Sequence, residues 1–202
     1  LRAGLAQLPS AGLDDDRVGL LLRYLDLLAR WNRSYNLTAV RDPAEMVTRH
    51  LLDSLAILPW VPAGRLLDVG AGAGLPGLPL AIARPGLQVT LLDSAGKKVR
   101  FLNQARRELG LDNVHPVQER LERYAPGQAF DAIVSRAFAS LVDFATAARH
   151  LAGAAPLLAM KGRQPDEELA ALPAWVRVES VQRLAVPGLQ EERHLVIMSV
   201  NP

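Results

Sequence analysis

The sequence predicts an α/β fold: a mostly parallel sheet with helices between its strands, a helical extension in front and an antiparallel strand pair behind. Three observations carry that prediction. From Arg65 onward, short apolar runs alternate with helical patterns, the order that builds a parallel sheet. The first run ends in a glycine-rich turn, 68–77, that opens into a helix. The last two β-rich stretches, 176–184 and 194–200, are separated only by loop residues around Pro187-Gly188, which suits antiparallel pairing. The change of texture divides the chain into an extension, 1–63, and a core, 64–202.

The elements follow in order. From Asp14 the residues Val18, Leu21, Leu22, Leu25 and Leu28 recur at helical spacing, and the run ends within 32–36. A second helix starts at Asp42, an N-cap followed at once by Pro43, with Met46, Val47, His50, Leu51, Ser54 and Leu55 along one side. Pro59 and Pro62 close it. Strands are expected at 66–69, 88–92, 114–118, 129–134 and 156–160. Helices are expected after the glycine turn, at 97–109 with Gly110 as its stop, at 139–151 and at 166–172.

Composition narrows the chemistry. There is no cysteine among 202 residues, which excludes disulfides, thiolate metal sites and cysteine nucleophiles. His50, His115, His150 and His194 show no ligand spacing, so no metal is expected. No apolar run approaches the roughly 20 residues that cross a bilayer, and residues 1–10 lack the basic start of a secretory signal. A soluble, cytoplasmic monomer without a membrane partner is the expectation. Net charge is only +2, so any affinity for nucleic acid must come from local clusters such as Lys97, Lys98, Arg100, Arg106 and Arg107.

The turn Asp68-Val69-Gly70-Ala71-Gly72-Ala73-Gly74-Leu75-Pro76-Gly77 lets backbone approach a ligand closely, because its side chains are mostly a hydrogen or a methyl. Residues 72–77 formally satisfy G-x-G-x-x-G, and Asp93 follows about 20 residues later at the end of a strand, where a carboxylate can accept from both ribose hydroxyls. Two cofactors share those features. Asp68 would sit badly beside a pyrophosphate, and Pro76 removes an amide that a phosphate could use. S-adenosylmethionine, with its sulfonium and ammonium, fits better. A Rossmann-like methyltransferase is therefore favoured over a nicotinamide-dependent oxidoreductase or a non-catalytic RNA-binding module.

Absence of cysteine removes carbon-5 pyrimidine methylation. The Asn/Asp-Pro-Pro-aromatic turn typical of exocyclic amine methylation is also missing, since the fourth strand is followed by Ser135-Arg136-Ala137-Phe138. An atom that is already nucleophilic, such as guanine N7, suits the chain and needs positioning rather than a general base. Lys97, Lys98 and Arg100, with Lys161 and Arg163, follow strand ends near the expected cofactor mouth and are candidates for RNA contact.

Nearly the whole chain resembles the bacterial family of small-subunit rRNA guanine-N7 methyltransferases, also called glucose-inhibited division protein B. The resemblance runs through Trp31-Asn32, residues 35–38, residues 49–54, the 68–77 turn, Leu92-Asp93-Ser94, residues 97–102, Ser135-Arg136-Ala137 and Met160-Lys161-Gly162. It implies a class I S-adenosylmethionine-dependent enzyme acting on N7 of one guanine in the 530-loop region of 16S rRNA, as free RNA or in the small ribosomal subunit. Carried over by position, it implies cofactor contacts at Gly70 and Leu75 in the turn that also holds Gly72 and Gly74, at Asp93, at Leu121 and Glu122 around the adenine, and at Arg136 near the methionine end. It also places Asn36, and His50 with Asp53, near the substrate entrance.

Overall fold

The computed structural model describes residues 1–8 and 12–201. A short helix α1, Arg2–Leu5, precedes α2, Asp15–Tyr35, whose N-cap Asp14 accepts a hydrogen bond from the Arg17 amide at 2.9 Å. Asp15 and Asp16 in its first turn complement the positive end of the helix dipole. The buried side of α2 carries Val18, Leu21, Tyr24, Leu25 and Leu28, whereas Leu22 is 44% exposed. Leu22 falls on the flank of the stripe because it lies one residue, about 100° of helix, from Leu21.

The second predicted helix is present but not regular. It runs as α3, Pro43–Met46, then a π-helical segment, Val47–Leu52, then α4, Asp53–Leu55. Asp42 caps it as expected, accepting from the Ala44 amide at 2.9 Å. Pro59 does not end it but sits in the 3-10 turn Leu58–Trp60, where a short helix tolerates proline in its first positions. The widened π turn is invisible in an i, i+3, i+4 pattern, and such turns gather at functional sites.

The core then alternates as the sequence predicts. Strand β1, Arg65–Val69, leads through the glycine turn to α5, Gly77–Ala83. Next come β2, Gln88–Asp93, and α6, Gly96–Leu109, which ends at Gly110 in the left-handed region. The remaining elements are β3, Val114–Gln118; β4, Ala132–Ser135; α7, Leu141–Ala152; β5, Leu157–Lys161; α8, Asp166–Ala170; β6, Val176–Arg183; and β7, His194–Val200. Among the described residues the seven strands form one sheet in the order β3-β2-β1-β4-β5-β7-β6. The first five are parallel, and β7 runs antiparallel to both β5 and β6. Pro116 is tolerated because β3 is an edge strand.

β4 starts at Ala132, later than the apolar pattern suggests; just before it the Asp131 amide donates to the Arg65 carbonyl at 2.8 Å and the Asp131 carboxylate accepts the Arg65 amide at 2.7 Å. Strand alternation sends Leu66, Val89, Leu91 and Val134 into a core shared with Tyr24, Leu28, Leu51 and Phe101. Leu67, Val69, Leu92 and Ile133 face the opposite core, with Phe144 and Ala148 of α7. The helical extension thus packs on one face of the sheet and α7 on the other. Strand order reverses between β1 and β4, and the carboxyl ends of parallel strands at such a point open a crevice.

Candidate active site

Two cavities, each about 370 Å³, open at that crevice. Val69, Gly70, Asp93, Lys98, Leu121, Glu122 and Phe138 line the first. Its floor is the turn after β1, where Gly70 has φ +68° and a Cβ placed on it would stand 2.8 Å from the Ala137 Cβ. Only glycine keeps that approach open. Gly72, at φ +57°, donates its amide to Asp93 Oδ2 at 3.0 Å, while Asp93 Oδ1 accepts the Ala95 amide at 2.9 Å. Each carboxylate oxygen keeps a second lone pair, so Asp93 can still accept two hydroxyls.

Gly74 and Leu75 are brought elsewhere. Gly74 packs beneath the Leu78 side chain and Leu75 is buried in the core, so both shape the turn without lining the cavity. Asp68 points to the extension face of the sheet. Its Oδ2 accepts the Gly77 amide at 2.8 Å and its buried Oδ1 has no partner among the described residues. Burial pushes the Asp68 carboxyl up to about 7, against the pull of the Gly77 amide and the Arg136 charge. Tyr24 of α2 donates from its buried hydroxyl to the Ala73 carbonyl at 2.8 Å, tying the extension to the glycine turn.

The second cavity lies between the extension, the ends of β4 and β5, and the loop joining β6 to β7. His50, Asp53, Arg136, Met160, Leu184, Arg193 and His194 contribute to its lining. Asp53 is nearly enclosed and stands between two guanidiniums, with Arg136 Nη1 at 3.0 Å from Oδ2 and Arg193 Nε at 3.2 Å from Oδ1. Burial pushes its carboxyl above the ordinary range, and the two arginines pull it back. His50 Nε2 is 2.9 Å from Thr38 Oγ1, and burial, reinforced by the Arg136 and Arg49 charges, lowers its imidazole to about 4 against a backbone hydrogen bond at Arg49 that raises it. Consecutive residues Arg136 and Ala137 line the second and first cavities respectively, so one stretch of backbone divides them.

The other sequence candidates are scattered. Asn36 is the left-handed C-cap of α2, φ +49°, and its Oδ1 accepts from Arg41 at 3.1 Å. It is not among the residues lining either cavity. Lys98 lies 3.5 Å from Asp93 Oδ2, inside the first cavity. Lys161 is held by Glu168 at 2.8 Å and by the Ala139 carbonyl at 3.1 Å. Lys97, Arg100 and Arg163 are exposed. Among the described residues no group of acidic and histidine side chains is placed to hold a metal.

Residues 17–196 match the model of the family described as rRNA small subunit methyltransferase G. The chain belongs to that family. The enzyme is therefore a methyltransferase, which sets the oxidoreductase alternative aside. Relatives named ribosomal RNA small subunit methyltransferase G include one from Pseudomonas aeruginosa PAO1, 58% identical over 92% of this chain and 88% of its own. Another, from Salmonella arizonae, is 51% identical over 94% of this chain and 92% of its own. Distant solved structures share the fold. The N-methyltransferase NodS from Bradyrhizobium japonicum, solved with S-adenosyl-L-homocysteine, is 14% identical with a TM-score of 0.57 over 87% of this chain and 99% of its own. TrmN from Thermus thermophilus is 17% identical with a TM-score of 0.55 over 84% of this chain and 53% of its own.

Sequence reasoning missed Thr38, Arg193 and His194, which the fold brings to the cavity of His50 and Asp53. His194 begins strand β7 and Arg193 directly precedes it, about 140 residues from Asp53, and no local pattern links them. The one available signal was a Glu-Glu-Arg-His run, polar residues set directly before the apolar strand 195–198.

Proposed function

We propose that the enzyme transfers a methyl group from S-adenosylmethionine to N7 of one guanine in the 530-loop region of 16S rRNA, with the cofactor in the first cavity and the guanine in the second. The observation that carries this reading is the pair of cavities divided by a single backbone stretch at the strand-order switch. The first fits the cofactor: its floor is bare backbone at Gly70, and Asp93, held by the Gly72 amide, keeps lone pairs for the ribose. Leu121 and Glu122 border the adenine end. Arg136 lines the second cavity rather than the first, but on the dividing stretch it retains Nε and Nη2 without acceptors among the described residues, which suits it to a methionine carboxylate that reaches that division.

When bound, the cofactor supplies an electrophilic methyl whose carbon–sulfur bond breaks as the N7 lone pair forms the new bond, giving S-adenosylhomocysteine and an N7-methylguanine cation. N7 carries no proton, so no side chain has to remove one. The work left to the protein is alignment and exclusion of water. Lys97, Arg100 and Arg163 are exposed near the strand ends and suit phosphate contact, in keeping with a cytoplasmic RNA substrate.

Methyl transfer from labelled S-adenosylmethionine to undermethylated small subunits and to stripped 16S rRNA, with mapping of the product base, tests the reading. A single N7-methylguanine in the 530 loop is expected. Cofactor binding with no transfer to either substrate would replace it with that of a binding module.

A further inference from the structure

We propose that Arg193, aimed by Asp53, is the residue that selects guanine over adenine by donating a hydrogen bond to O6 of the target base. This rests on the function proposed above. The second cavity is unusual in its polar inventory. Asp53 is its only carboxylate among the described lining residues, and both its oxygens face guanidiniums. Four cations in the lining, Arg49, Arg136, Lys161 and Arg193, outnumber that carboxylate and can only donate, so a ligand that meets them must present acceptors. Arg193 Nε forms an ion pair with Asp53 Oδ1 at 3.2 Å and its Nη1 donates to the Glu192 carbonyl at 2.8 Å, leaving Nη2 without an acceptor among the described residues.

Depth and shape favour a base over a phosphate. Asp53, His50 and His194 are at most 3% exposed, and Met160, Leu184 and Val40 add apolar surface on which a flat ring can rest. The edge of guanine that carries N7 also carries O6, an acceptor, where adenine carries an amino group whose hydrogens would meet the guanidinium's own. With N7 reserved for the methyl group, O6 is the neighbouring atom left to read. A buried carboxylate between two arginines is costly to desolvate, and replacing such a cluster by apolar residues is often neutral or stabilising. Orienting a donor fork supplies a reason to keep it. Asp53 comes from the extension and Arg136 directly follows β4, so two segments meet at the carboxylate that pairs with Arg193.

The test uses the full chain and small subunits reconstituted with a synthetic 530-loop segment bearing guanine, inosine or 2,6-diaminopurine at the target. Wild-type enzyme is expected to methylate guanine and inosine alike, because both keep O6, and to reject 2,6-diaminopurine. Arg193→Gln, whose amide can turn its oxygen to the amino group, is expected to lower the guanine to diaminopurine ratio by roughly tenfold or more while cofactor affinity stays within about twofold. Retained cofactor affinity shows that the variant folds. Arg193→Lys, which keeps the charge but loses the planar fork, is expected to fall between the two. An unchanged ratio in Arg193→Gln overturns the proposal, as does a uniform loss on all three bases with a shallower salt dependence, the mark of a phosphate contact. Wild-type failure on guanine overturns the function itself, whereas wild-type transfer to guanine and diaminopurine alike overturns only the role of Arg193.

Discussion

Two buried acids show how position sets the work of a side chain. Asp93 holds the Gly72 amide and keeps lone pairs turned to the first cavity, so Asp93→Ala is expected to weaken S-adenosylmethionine binding by about 1.5–3 kcal/mol. Titration calorimetry reads the change directly, and unchanged affinity would remove Asp93 from the site. Asp68 is a different case. Its carboxyl stands at about 7 in the fold against 3.8 as an ordinary value, so between those pH values the native state holds a proton that the unfolded chain has lost. Stability from this group therefore falls as pH rises from about 4 to 7. His50 acts the other way. Its imidazole, lowered from 6.5 to about 4, makes the unfolded chain the better proton binder in that window, so its contribution rises with pH. The two slopes oppose each other between pH 4 and 6.5. Asp68→Asn, which keeps an acceptor for the Gly77 amide, is expected to expose the His50 slope: its melting temperature should climb across that window and gain on wild type up to about pH 7. Parallel melting curves in the two proteins would mean that Asp68 is ionised in the fold.

Among the elements, α2 is closed by a residue whose chemistry is set by backbone geometry. Asn36 adopts φ +49°, which costs most side chains but not glycine. Asn36→Gly is expected to be nearly neutral, and Asn36→Val to lose about 1–2 kcal/mol in denaturant unfolding. Equal losses in both would point to the Arg41 contact instead. Elements of this kind were the legible ones. The acid-capped start of α2, the Asp42 cap, the glycine turn and the strand ending in Asp93 announce themselves because each is specified by neighbours in sequence. The π-helical segment was not legible, since its spacing differs from α by a single residue in one turn. Nor was the cavity wall built from Arg193 and His194, because burial, not sequence proximity, places them beside Asp53. Lys161 was legible only as a cation near a strand end. Its partners, Glu168 and the Ala139 carbonyl, arrive through tertiary packing.

For the whole molecule, the division of the sequence at 63 and 64 describes texture rather than two cores. Tyr24, Leu28, Leu51 and Leu55 are buried together with Leu66, Leu78 and Phe101. Removing residues 1–62 would strip the cover from α5 and α6 and expose a large apolar face. The shortened chain is expected to lose its cooperative thermal transition, as followed by circular dichroism, and to collect in the insoluble fraction. A sharp transition would show that the core stands without its cover. The position of β7 carries one more consequence. Among the described residues it is the last strand in chain order, yet it lies inside the sheet, between β5 and β6. While a ribosome is still making the chain, β5 therefore waits with an open hydrogen-bonding edge, and β6 has no neighbour to join. Both are satisfied only when residues 194–200 have emerged, and the same arrival brings Arg193 to Asp53. Synthesis interrupted at about residue 190 would leave a protein with its glycine turn made, its sticky edge bare and its base chamber missing a wall, so the pairing of β5 and β6 and the arming of the site are one event.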